Sequence, residues 1–107
     1  MVKHIREALE EKKAQEITVL DIEQVSVIAD FFVIASGTNI NQIQTLADYV
    51  EEYLERKGFA LKQKEGYASG NWVLLDFGDV IVHIFDQENR LLYDLEQIWK
   101  AGTKVHS

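Results

Sequence analysis

Apolar positions along the first third of the chain repeat with the periods of helices and strands. Residues 1–14 carry apolar side chains at helical spacing with charged residues on the opposite face, which predicts a first helix. Residues 16–22 have the composition of a strand, and residues 23–29 form a connector. Residues 30–36 are almost continuously apolar, a pattern typical of a strand that is buried on both faces.

The most regular apolar stripe predicts a helix that runs from Ile40 to about Lys57. Asn39 is a favourable N-cap, Gln42 stands three residues later in the capping-box position, and Gly58 follows as a stop signal. One face of this helix is apolar and the opposite face is acidic. The apolar stripe consists of Ile40, Ile43, Leu46, Ala47, Val50 and Leu54.

The second half of the chain alternates in the manner of strands and then shows another helical stripe. Residues 59–64 alternate apolar and polar, as in a half-buried edge strand, and residues 65–71 form a loop that contains glycine. Residues 92–101 predict a last helix. With the hairpin described next, the order is α-β-β-α-β-β-β-α. We therefore expect one α/β domain over residues 1–107, with a mixed sheet packed by helices.

Residues 72–76 and 79–85 are two apolar runs separated by the link Phe77-Gly78, and this spacing predicts a β-hairpin. With that link as the loop, Asp76 pairs with Asp79. Alternation of side chains gives a core face with Val73, Leu75, Val80, Val82 and Ile84. The opposite face, called the second face below, carries Trp72, Leu74, Asp76, Asp79, Ile81, His83 and Phe85.

Two interpretations of the second face stay open. In the first, another helix covers the second face, and the predicted last helix is available for this. In the second, the face remains partly exposed as a docking surface. A tryptophan in an apolar patch is typical of interface hot spots.

Net charge narrows the range of partners. The 107 residues carry 18 Asp+Glu against 11 Lys+Arg, a formal charge of -7. An acidic surface disfavours phosphate backbones and anionic lipid, and it favours a basic protein partner. The absence of cysteine excludes disulfides and thiolate chemistry. No apolar run approaches the ~18 residues of a membrane span and no secretory signal is recognised, so we expect a cytoplasmic protein.

A nucleotide-handling site is the catalytic alternative that the sequence offers. Asp76 and Asp79 could hold Mg²⁺, and the turn at residues 36–39 could bind an anion at a helix start. Both features are more typical of ordinary turn and cap chemistry, and no glycine-rich phosphate loop is present. The three histidines lack the spacing of a metal site. We therefore expect no enzyme and no cofactor.

Many fixed spacings in the second half of the chain form one distinctive pattern. They are Glu65-Gly66, the run from Trp72 to Phe85, Arg90, Tyr93, Leu95-Glu96 and Trp99. Together with residues 29–37, this pattern resembles the ribosomal silencing factor family, the RsfS or Iojap-related proteins of bacteria and organelles. The resemblance extends over residues 1 to about 101.

The resemblance implies a non-enzymatic protein that binds the large ribosomal subunit through its fourteenth protein, with neighbouring ribosomal RNA as a further expected contact. Docking there would sterically block joining of the small subunit and lower translation when nutrients are short. A role in large-subunit assembly is the alternative, and a nucleotidyltransferase-like enzyme is a weaker one. The resemblance also implies a nucleotidyltransferase-like fold without catalytic residues, and a homodimer.

By position, the resemblance assigns docking to the second face of the hairpin and its surroundings. Trp72 would be the apolar anchor, and Asp76 and Asp79 would meet Lys or Arg of the partner. The full set is Trp72, Leu74, Asp76, Gly78, Asp79, His83 and Tyr93.

Overall fold

Two helices and six strands make up the described part of the chain, which covers residues 1–24, 26–86 and 103–105 of a computed structural model. In chain order they are α1 Val2–Glu11, β1 Gln15–Asp21, β2 Phe31–Gly37, α2 Ile40–Arg56, β3 Gln63–Glu65, β4 Trp72–Asp76, β5 Val80–Asp86 and β6 Thr103–Val105. No helix in these ranges combines the length and the apolarity needed to cross a membrane.

The strands form one mixed sheet in the order β3-β4-β5-β2-β1-β6. The central pair, β2 and β5, is parallel, with Phe31 opposite Val80 and Gly37 opposite Asp86, and the other pairs are antiparallel. A central position explains the continuous apolarity of β2, because both of its faces are covered. The expected α/β class with a mixed sheet is confirmed.

The core face of the sheet packs against both helices. Ile5 and Leu9 of α1 and Leu46 and Leu54 of α2 are completely buried in this cluster. The five hairpin residues that alternation assigned to the core face are buried in it as well: Val73, Leu75, Val80, Val82 and Ile84. Burial of aliphatic side chains of this size stabilises the fold by roughly 1.5–3 kcal/mol each.

The second face carries its own buried cluster. Its members are Leu20, Ile22, Ala29, Phe32, Ile34, Ile81 and Phe85, with Trp72 and Leu74 partly buried against them. The centre of this face is therefore buried, and the predicted last helix, which the first interpretation offered as its cover, lies outside the described residues. Trp72 and Leu74 on β4 keep part of their surface, so the docking interpretation survives at this edge.

The start and the end of α2 follow the sequence prediction. Asn39 Oδ1 accepts a hydrogen bond from the Gln42 backbone N–H at 2.8 Å. Gln42 Oε1 in turn accepts from the backbone N–H and the hydroxyl of Thr38, at 2.6 and 2.9 Å. Gly58 has φ +92°, the left-handed conformation that ends a helix. Since side chains already occupy the N–H groups of Thr38 and Gln42, fewer donors remain for the predicted anion site.

The register of the β4–β5 hairpin corrects the sequence prediction. Asp76 pairs with Ile81 rather than with Asp79, and the Phe77 N–H donates to the Val80 carbonyl at 3.0 Å. The loop is thus centred one residue later than expected. Gly78, with φ +96°, occupies the first loop position, where a type II′ turn needs glycine and where Phe77 would be strained. All pairings shift by two residues, so both faces keep their predicted members.

Other elements also differ from the prediction, most of them by no more than a single residue at each end. The first helix ends at Glu11 instead of residue 14, because Lys13 adopts φ 62°. The edge strand is Gln63–Glu65 instead of 59–64, since Phe59 and Leu61 turn toward the helical core. The short strand β6 was not predicted. The expected helix at 92–101, with Tyr93, lies outside the described residues.

Candidate functional site

Trp72 is the largest side chain at the exposed edge of the second face. Its indole stacks on Phe85, its ladder partner across the hairpin, with ring centroids 5.0 Å apart and an interplanar angle of 28°. A shallow groove of about 280 Å³ is lined by Glu65, Gly66, Trp72 and Leu74. An aromatic ring that is packed on one side and open on the other has the form of an interface anchor.

His83 holds the indole from beneath. The Trp72 Nε1–H donates to His83 Nδ1 at 3.0 Å, and the Phe32 ring meets the imidazole edge-on with centroids 4.6 Å apart. The imidazole is 4% exposed, and burial lowers its pKa from 6.5 to about 4. His83 is therefore neutral at neutral pH, and this hydrogen bond assigns its proton to Nε2. Nε2 is buried without a hydrogen-bond partner among the described residues.

The loop before β4 contacts the backbone of Trp72 at the start of the strand. Gly66 has φ +76°, and a Cβ on it would collide with the Trp72 carbonyl oxygen. Gln44 of α2 donates to the Tyr67 carbonyl at 2.9 Å, and the Tyr67 hydroxyl donates to Asp48 at 2.8 Å. Helix α2 thus holds the loop, and the loop packs closely against the backbone of Trp72.

The hairpin tip carries two acidic side chains in different environments. Asp76 is half-buried, and its Oδ1 accepts from the Gly78 N–H at 2.8 Å, so it shapes the turn. Asp79 is exposed, while its carbonyl accepts from the N–H groups of Asp30 and Phe31 at 2.7 and 3.2 Å. Within the described ranges, no three His, Asp or Glu side chains converge as a metal site. The geometry thus supports turn chemistry and leaves Asp79 available to a partner.

The predicted docking residues therefore separate into three groups. Trp72 and Leu74 share the groove, and Asp76, Gly78 and Asp79 form the hairpin tip. His83 is buried beneath Trp72 and accepts the hydrogen bond of the indole N–H. Tyr93 lies outside the described residues.

The sequence argument missed the support that Phe32 and Gly66 give to the site. Phe32 had a signal, because the continuous apolarity of residues 30–36 already predicted burial on the second face. Gly66 stood in the family-like pattern without a physical role, which only the backbone conformation reveals.

Comparison with known proteins places this arrangement in a family. The family model described as "Ribosomal silencing factor during starvation" matches residues 1–107. The ribosomal silencing factor RsfS of Halalkalibacterium halodurans is 39% identical over 98 residues, covering 92% of this chain and 84% of the relative. A crystal structure of a Chromobacterium violaceum protein superimposes with a TM-score of 0.91 at 35% identity, covering 98% of this chain and 87% of that one.

A more distant relative comes from an organelle. The mouse protein called "Mitochondrial assembly of ribosomal large subunit protein 1" is 28% identical over 94 residues, or 85% of this chain and 41% of the relative. The protein is thus an α/β protein of a ribosome-associated class, a regulatory factor by its family's name. The chain belongs to the ribosomal silencing factor family.

Proposed function

We propose that the chain silences ribosomes in the cytoplasm. It binds the large ribosomal subunit through the subunit's fourteenth protein and sterically blocks joining of the small subunit. The observation that carries the proposal is the half-exposed Trp72, which stands beside Leu74 on β4 above a buried, neutral His83. Family membership supplies the ribosomal partner, and the geometry supplies a surface on which it can dock.

The anchor is pre-organised for binding. The stack on Phe85 and the hydrogen bond to His83 already restrict the indole of Trp72. Little side-chain freedom is then lost when a partner covers it, and the affinity gains accordingly.

The charge of the molecule favours a protein rather than RNA as the principal contact. A formal charge of -7 repels the phosphates that dominate a ribosomal surface and attracts the Lys and Arg side chains of a ribosomal protein. Asp79 at the hairpin tip is exposed to meet such a residue. Contact with neighbouring RNA would be confined to the rim.

A role in assembly of the large subunit is the second candidate, and the name of the mouse relative favours it. An assembly factor would prefer immature large subunits over mature ones, whereas a silencing factor binds mature subunits. The homodimer that the resemblance implies stays a prediction. If it used the second face, self-association and subunit binding would compete by mass action.

Subunit joining tests the proposal. Purified large and small subunits are mixed with and without a saturating excess of this protein, and joined particles are followed by light scattering. We expect the wild-type protein to suppress joining. The Trp72→Ala variant, added at the same concentration, should leave joining largely unaffected. Unchanged joining while the protein is bound to the large subunit would contradict the steric mechanism.

A further inference from the structure

Two adjacent aliphatic side chains near the hairpin tip are largely exposed to solvent. Val27 is 104% exposed and Ile28 is 73% exposed, both on the connector between β1 and β2. Among the described large hydrophobic residues, the other exposed one is Ile40, at 48%. Adjacent exposed aliphatic side chains need an explanation beyond the single exposed residues that are common on protein surfaces.

Buried residues and hydrogen bonds on both sides of this pair hold the connector against the sheet. Ile22 and Ala29 are buried in the second-face cluster. The Ile22 N–H donates to the Asp30 carbonyl at 2.8 Å, and the Ile28 N–H donates to the Ser26 hydroxyl at 3.1 Å. The exposed pair is thus presented by an anchored turn, which reduces the entropy lost on binding.

The segments at the connector end of the sheet are rich in acidic residues. The Asp30 N–H donates to the Asp79 carbonyl at 2.7 Å, which joins the connector to the hairpin tip. The segments at this end of the sheet contribute Asp21, Glu23, Asp30, Asp76 and Asp79, and Lys62 lies over Gly78. An apolar knob in an acidic rim is complementary to an apolar recess on a basic protein surface.

We propose that residues 26–30 form a second contact, in which Val27 and Ile28 enter an apolar recess of a basic protein. The inference rests on the proposed function, because the basic protein is taken to be the large-subunit protein that also meets Asp79. The contact would lie at the hairpin tip, while the Trp72 anchor lies at the far end of β4. Two separated contacts of this kind fix the orientation of the docked protein as well as its affinity.

The test compares a polar and an aliphatic replacement of the exposed pair. The double variant Val27→Ser/Ile28→Ser removes the knob, and the exchange Val27→Ile/Ile28→Val, which keeps both side chains aliphatic, is the matched control. Binding to purified large subunits is titrated by co-sedimentation, with thermal melts to show that each variant is folded. We expect the double variant to bind about 10-fold more weakly and the control to stay within about twofold of the wild type.

Each other result overturns a defined part of the inference. Equal binding by the wild type and the double variant would remove the second contact and leave the Trp72 face intact. Failure of the wild type itself to bind would overturn the proposed function, and the second contact with it. Wild-type binding to protein-free ribosomal RNA that the double variant loses would show that the recess belongs to RNA, against the proposal.

Discussion

At the residue scale, the site depends on one hydrogen bond between two aromatic side chains. The Trp72 N–H donates to His83 Nδ1 at 3.0 Å, and this bond restricts the indole in addition to its stack on Phe85. Burial keeps His83 neutral by lowering its pKa to about 4, so the acceptor persists throughout the neutral range. We therefore propose that His83 positions Trp72 for binding.

Replacement of His83 tests this role. His83→Asn retains an acceptor near the position of Nδ1, whereas His83→Leu removes it. We expect His83→Leu to weaken subunit binding by about 5- to 10-fold, the value of one lost buried hydrogen bond, and His83→Asn to stay closer to the wild type. The indole N–H resonance of Trp72, assigned with Trp72→Phe, reports the bond directly.

Two controls separate positioning from direct contact. In a Trp72→Phe background, His83→Leu should add little to the loss of binding, and an undiminished effect there would show that His83 touches the partner itself. In the wild type, the indole resonance should move as the pH falls toward about 4, where His83 takes up a proton at Nδ1. A transition near pH 6.5 would argue against the buried, neutral imidazole.

At the element scale, local chemistry was predictable and strand registration was not. The N-cap and Gln42 defined the start of α2, and continuous apolarity defined β2 as a central strand. These features depend on neighbouring residues in the chain. The hairpin faces were correct because the error in register was two residues, the period of a strand.

The failures at this scale have a common cause. The position of the hairpin loop depends on the backbone conformation of Gly78 against Phe77, which residue types alone leave undecided. The start of β3 depends on how Phe59 and Leu61 pack against the helices. The edge exposure of Trp72 depends on which residues cover the second face, and alternation along one strand cannot supply that information.

The loop that leads into β4 gives a prediction about stability. Gly66→Ala forces a left-handed alanine and drives its Cβ into the Trp72 carbonyl. Gly58→Ala is the matched control, since Gly58 is also left-handed but has open space around its Cβ position. We expect a loss of about 1–2 kcal/mol for Gly58→Ala and clearly more for Gly66→Ala, measured by urea unfolding. Equal losses would show that the close approach to Trp72 is unimportant.

At the scale of the whole molecule, the mixed sheet separates a structural face from the proposed docking surface. One face is packed by α1 and α2, and the edge of the other face offers Trp72 and Leu74. Trp72 and Asp76 stand about 14 Å apart along β4, so an apolar anchor and an acidic tip can meet one partner together. Net charge of -7 then speeds encounter with a basic surface and discourages nonspecific binding to RNA.

The most direct test of this account is co-sedimentation with purified large ribosomal subunits. Trp72→Ala is compared with Tyr53→Ala, which removes a partly buried aromatic ring from the helical side of the sheet. Both variants are checked for folding by circular dichroism. We expect the wild type and Tyr53→Ala to sediment with the subunit, and Trp72→Ala to lose ~2–4 kcal/mol of binding free energy. Binding by folded Trp72→Ala at wild-type affinity would contradict the account.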